Sequence, residues 1–183
     1  MRLRIILILL LLTPALHAQK YSVSTDILDF AALGTLNVDG SYAFSRHFSA
    51  VAGVRYNPFT YNNDEPDRQL QCRQLSFAAG VRYWPWHTWS GWWFASKLRY
   101  QEYNIGGIIS PQTSEGDRFG AGVYSGYTYM ISPHFNLEFG LGVWAGMDVY
   151  KVYSCPLCGL TIDSGRKAFL LPDDLMISLV YVF

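Results

Sequence analysis

The sequence predicts an all-β protein, an eight-stranded antiparallel up-and-down transmembrane β-barrel. Three observations carry that expectation. Apolar and polar residues alternate along nearly the whole chain after residue 18, the period of a strand with one apolar and one polar face. Tight connections take turns with longer ones, the pattern of short turns at one end of a barrel and loops at the other. The final stretch, Leu175-Met176-Ile177-Ser178-Leu179-Val180-Tyr181-Val182-Phe183, reads as the closing strand of an outer-membrane barrel, whose aromatics sit at the membrane interface.

The N-terminal residues 1–18 read as a secretory signal peptide. Arg2 and Arg4 supply the charged start, residues 5–12 the apolar run, and Ala18 a small residue for cleavage before Gln19. A spanning helix is the competing reading, but the run is short and Pro14 interrupts it. Residues 19–183 then form one barrel domain. Half of all residues are hydrophobic and only 15% are charged, against about 25% charged in an average soluble domain. Without Arg2 and Arg4, 12 basic residues face 14 acidic ones. Nothing in that balance calls for nucleic acid as a partner.

Strands are expected at about 20–28, 35–45, 48–57, 73–84, 92–104, 118–131, 135–151 and 175–183. Tight turns fall at 45–47, 85–91 and 132–134. Longer connections fall at 57–72, 104–117 and 154–174, and a short one at 29–34. The stretch Tyr42-Ala43-Phe44-Ser45-Arg46-His47-Phe48 resembles Tyr129-Met130-Ile131-Ser132-Pro133-His134-Phe135, a strand-turn-strand unit repeated as in an up-and-down barrel.

The faces follow from the alternation. Leu36, Val38, Tyr42 and Phe44 oppose Asn37, Asp39 and Ser41; Leu137, Phe139, Leu141 and Val143 oppose Asn136, Glu138, Gly140 and Gly142. The apolar faces are expected to meet lipid. The interior charges are then Asp26, Asp39, Arg55, Arg82, Lys97, Arg99, Glu138 and Asp148, four of each sign. Eight strands leave an interior that side chains fill, so a plugged polar core is expected rather than an ion path. Aromatics gather at the membrane edges, with Trp84, Trp86, Trp89, Trp92 and Trp93 crowding the second tight turn. A soluble ligand-binding barrel would put such aromatics inside.

These residues carry a family resemblance. Thr25-Asp26-Ile27-Leu28, Leu36-Asn37-Val38, the strand 48–56, Gly80-Val81-Arg82-Tyr83-Trp84, Arg118-Phe119-Gly120-Ala121-Gly122 and Asn136-Leu137-Glu138-Phe139-Gly140-Leu141-Gly142 resemble an uncharacterised outer-membrane barrel family of the Bacteroidetes, domain of unknown function 3575. The resemblance implies the barrel fold, an outer-membrane location and an association with fimbrial or adhesive components. It implies no activity.

Chemistry-bearing motifs are few. Cys155 and Cys158 form a Cys-x-x-Cys pair, open to a redox couple, half a metal site or a disulfide. No thioredoxin-like context surrounds it, and a zinc site would need four ligands. A structural disulfide is expected, either within the pair or from Cys72 to one of its members. His47, His87 and His134 all fall on tight turns, away from the end where a lipid-modifying barrel enzyme would keep its base. Asp64, Glu65, Asp67, Glu115, Asp117, Asp163, Asp173 and Asp174 fall in the long connections. They read as solvated charge without the spacing of a calcium loop. No catalytic residue, cofactor or metal site is expected. The role expected is structural or interactive, with outer-membrane lipid around the wall and a surface or fimbrial protein at the external loops. The alternatives are a lipid A or lipid-modifying barrel enzyme and a small pore.

Overall fold

The computed structural model describes residues 19–62, 69–107, 112–155 and 159–183, without the side chain of Asp174. The expected signal peptide lies outside the described residues. The strands are β1 (Tyr21–Asp26), β2 (Leu36–Ala43), β3 (Phe48–Asn57), the two-residue β4 (Thr60–Tyr61), β5 (Leu70–Tyr83), β6 (Gly91–Gly106), β7 (Thr113–Met130), β8 (Phe135–Tyr153) and β9 (Thr161–Val182). Apart from β4, which caps the top of β5, eight antiparallel strands close into a barrel through the β1–β9 and β3–β5 pairings.

Its stagger can be followed through register partners. From Val180 the circuit passes Ser24, Asp39, Gly53, Ala78, Arg99, Gly120 and Gly146 and returns to β9 at Phe169. One turn thus climbs from residue 180 to residue 169 of the same strand, across the irregularity opposite Gly140 and Gly142. Such a stagger requires the strands to tilt, by about 35–45° in closed barrels.

The two ends differ. The tight turns gather at one end, where the histidines brace the backbone: His47 Nδ1 lies 2.9 Å from the Trp84 carbonyl and His134 Nδ1 3.0 Å from that of Val182. At the other end the wall is cut obliquely. Strand length rises from 6 residues in β1 to 22 in β9, so β6 to β9 stand well above β1 to β3.

Three departures from the sequence expectation concern this open end. The connection at 29–34 contains a helix, α1 (Ile27–Ala31), capped by Asp26, whose carboxylate accepts from the Leu28 amide at 2.9 Å. β7 begins at Thr113 rather than near 118. Most of the loop expected at 154–174 is strand, because β9 pairs with β8 up to Thr161. Alternation there is broken by Gly165, the Arg166-Lys167 pair and the apolar run 168–171, so the period-two signal that marks a strand fades while the ladder continues.

Apolar side chains point out of the barrel on every one of the eight strands. Among them are Val23, Val38, Phe48, Phe77, Leu98, Val123, Leu141 and Leu179, all exposed. The tryptophans at the second tight turn divide. Trp86 and Trp92 are exposed, while Trp84, Trp89 and Trp93 turn inward and pack with Tyr124, Met176, Val180 and Val182. That inward set corrects the expectation of an aromatic edge made by all five, and it fills the tight-turn end of the lumen with an aromatic plug. Glycines make the room: a Cβ on Gly126 would meet the Trp93 ring at 2.4 Å.

Candidate functional site

Above the aromatic plug the lumen is filled by ionic layers. In the first, Glu138 is fully buried; it accepts from Arg82 Nη1 at 2.9 Å and from the Thr128 hydroxyl at 3.0 Å, while the Arg82 guanidinium lies 4.6 Å from the Trp93 ring. Buried charge is costly unless paired and hydrogen-bonded, and both conditions are met for Glu138. Lys97 lies over Tyr124 at 4.7 Å.

The second layer is built around Asp173. Arg99 donates to it, Arg55 lies 3.6 Å away, and the Tyr124 hydroxyl donates at 2.8 Å. Arg55 also pairs with Asp29 of α1 at 2.7 Å. Asp173 was expected among the solvated loop acids, and the β9 ladder instead turns it into the lumen opposite Gly142. The third layer centres on buried Asp148, which accepts from the Tyr103 hydroxyl at 2.9 Å and Arg118 Nε at 3.2 Å, with Lys167 Nζ at 3.8 Å.

The eight interior charges read from the sequence therefore divide among distinct places. Arg82 with Glu138, Arg55 with Arg99, and Asp148 belong to these layers. Asp26 caps α1 and also accepts from the Ile177 amide at 3.1 Å. Asp39, Arg55, Lys97 and Arg99 line a residual void of only about 10 Å³. Asp173, Asp29 and Arg118 were missed as lumen charges. The first two lie in segments that read as connections, and Arg118 opened a strand whose true start is five residues earlier.

Two larger spaces lie at the open end. A cup of about 760 Å³ is lined by Asn57, Gln74, Tyr103, Tyr150, Gly116 and Gly165, among others. Beside α1 a cavity of about 290 Å³ is lined by Leu28, Asp29, Gln101, Pro172 and Leu175. The remaining loop acids are held by phenols. Tyr150 donates to Asp163, Tyr153 to Glu115, and Tyr100 to Asp117. The hydrogen bond to Asp163 pushes the Tyr150 phenol up from its ordinary value. Asp64, Glu65 and Asp67 lie outside the described residues, as does the side chain of Asp174. Among the described residues no three His, Cys, Asp or Glu side chains gather as a metal-ligand set.

The cysteine expectation needs correction in one part. Cys72 is a free, half-buried thiol, and burial pushes its pKa up. The ladder explains why it does not bridge to the last connection. Cys72 stands opposite Ile105, Ile105 opposite Ser114, and Ser114 opposite Val152. Three strand spacings put it about 14 Å from β8, twice the reach of about 7 Å for a disulfide. Bonding within the pair falls on Cys158, outside the described residues.

The profile of one protein family matches residues 4–183, and the chain belongs to that family, described as a protein of unknown function (DUF3575). No curated protein and no solved structure matches it.

Proposed function

We propose that this DUF3575 chain is an outer-membrane β-barrel that crosses the bilayer with its eight strands and serves at the cell surface as a structural or interaction protein. The observation that carries the reading is the outward apolar belt. A soluble protein rarely exposes an apolar patch beyond a few hundred Å², whereas here every strand contributes large exposed apolar residues. On β6 the outward residues run Trp92, Phe94, Ser96, Leu98 and Tyr100 before the first charge, Glu102. At about 3.4 Å per residue and a tilt of ~40° that stretch spans about 23 Å. An outer-membrane barrel has an apolar band of about 25 Å with aromatic girdles. On β7 the belt stops at Phe119 below Asp117, and on β8 at Val149 below Lys151.

In this placement the tight turns face the periplasm and the oblique open end faces outward. That orientation, the Bacteroidetes setting and a fimbrial or adhesive partner rest on the family resemblance and the barrel pattern together. The filled lumen argues against a pore, since the void among Asp39, Arg55, Lys97 and Arg99 holds only about 10 Å³. A lipid-modifying enzyme would need a base near the outer leaflet, and His47, His87 and His134 all sit at the tight-turn end.

Deletion of the gene tests the role. The interaction reading expects an unchanged lipid A mass spectrum together with loss of a surface component from its assembly. A shifted lipid A mass would move the protein to the enzymes. Discrete conductance steps of the purified chain in a planar bilayer would make it a pore.

A further inference from the structure

The barrel closes over only part of β9. β8 pairs with this strand from Thr161 to Tyr181, but on its other side β1 covers only the stretch from Ser178 to Val182. α1 then packs beside β9 and lines a cavity with Pro172, Asp173 and Leu175. Above Pro172, which has no N–H to offer, residues 161–171 have no ladder partner on that side among the described residues. Among the described residues no backbone hydrogen bond outside the ladders reaches them. The side chains of 161–168 are all exposed, whichever face of the strand they occupy. This is an open strand edge about 35 Å long, and an edge of that kind is a template for another strand.

Charge narrows what can occupy it. Asp163 already accepts from Tyr150. Lys167 shares Asp148 with Arg118. Arg166, and Lys151 on the neighbouring strand beside Ser164, face outward with no carboxylate partner among the described residues. The edge therefore presents unpaired backbone groups beside two uncompensated cations, from the upper margin of the apolar belt, where Ala168 to Leu171 stand opposite Met147 to Trp144, up to Thr161.

We propose that residues 161–171 of β9 form a strand-addition site for an extended, acidic segment of a partner protein. Backbone hydrogen bonds supply the docking, and carboxylates at alternate positions meet Arg166 and Lys151. This deepens the interaction role proposed above and uses its membrane placement at one point, the exclusion of a second copy. Two copies inserted the same way are related by an axis along the membrane normal. That axis keeps the upward direction of both β9 strands and reverses their sideways tilt, so at a tilt of ~40° the two edges cross at about 80° and form no ladder in either sense.

The test uses the full chain refolded in detergent and a fluorescently labelled ten-residue peptide of alternating Thr and Glu. The acidic peptide is expected to bind and to slow hydrogen exchange of the amides in 161–171. The same peptide N-methylated at alternate backbone nitrogens, and a Thr-Lys peptide, are expected not to bind. Lys151→Glu with Arg166→Glu is expected to weaken binding about tenfold or more, as for truncated charge pairs at interfaces. No binding of the acidic peptide, equal binding of its N-methylated form, or binding without protection of 161–171 overturns the proposal. Displacement of the peptide by millimolar inorganic phosphate, with phosphate but not peptide sensitive to the double substitution, would make the two cations a phosphate site instead. Because the assay is run in detergent, its failure is separate from failure of the membrane placement, which the migration of the unboiled protein reports.

Discussion

At the scale of single residues, the lumen is held by charges that survive only in company. Glu138 is fully buried with Arg82 and Thr128. Glu138→Ala leaves the Arg82 guanidinium buried against Trp93, and removing one partner of a buried pair costs about 3–5 kcal/mol. Urea unfolding of the refolded barrel is expected to shift by that amount, with Arg82→Met added to Glu138→Leu recovering a large part of it. Cys72 makes a second prediction. Its thiol is free and pushed up by burial, and the thiolate is the reactive form. Alkylation by iodoacetamide at pH 7.5 should be slower than for an exposed thiol, and should keep accelerating at a pH where an exposed thiol has levelled off. A residue that never reacts, even unfolded without reductant, would mean that Cys72 is bridged. Alternation alone placed Glu138 and Arg82 on the polar faces of their strands. It could not reveal that Asp173 joins Arg55 and Arg99, because that contact depends on how far the β8–β9 ladder runs, which side-chain period does not encode.

At the scale of elements, α1 is the part least visible beforehand. Five residues, Ile-Leu-Asp-Phe-Ala, carry no helical period long enough to stand out from a strand end. What makes them helical is the Asp26 cap, and Asp26 also ties the helix to β9 through the Ile177 amide. Asp26→Ala is expected to lose about 1–2 kcal/mol, the usual cost of a lost cap, and to speed hydrogen exchange at Leu28 and Ile177 while the β5–β7 amides stay protected. Asp26→Asn, which can still accept, should keep most of that protection. Of the inward tryptophans, Trp84 and Trp93 share strand parity with the interior charges Arg82 and Lys97, so their direction was open to reading from alternation. Only Trp89, inside the tight turn, has no face legible from spacing. Gly126 and Gly140 leave the room that the Trp93 ring occupies.

At the scale of the molecule, the barrel itself was legible: the eight strands, their antiparallel order and the side on which apolar residues lie all follow from alternation and connection length. The oblique open end was not, since strand length there is set by ladder pairing of sequence that lacks clean alternation. If the belt lies in lipid, quenching by brominated acyl chains should reach Trp86 and Trp92, which are exposed, and spare Trp84, Trp89, Trp93 and Trp144, which are buried. Single-tryptophan variants in bilayers check this. The central claim is a closed barrel resident in the outer membrane. Its most direct measurement is the gel migration of the protein from isolated outer membranes, boiled against unboiled and without reductant. Recovery in that fraction is expected, with a faster unboiled band that collapses to the slower position on heating. A single unshifted band, or recovery of the protein in the soluble periplasm, would contradict it.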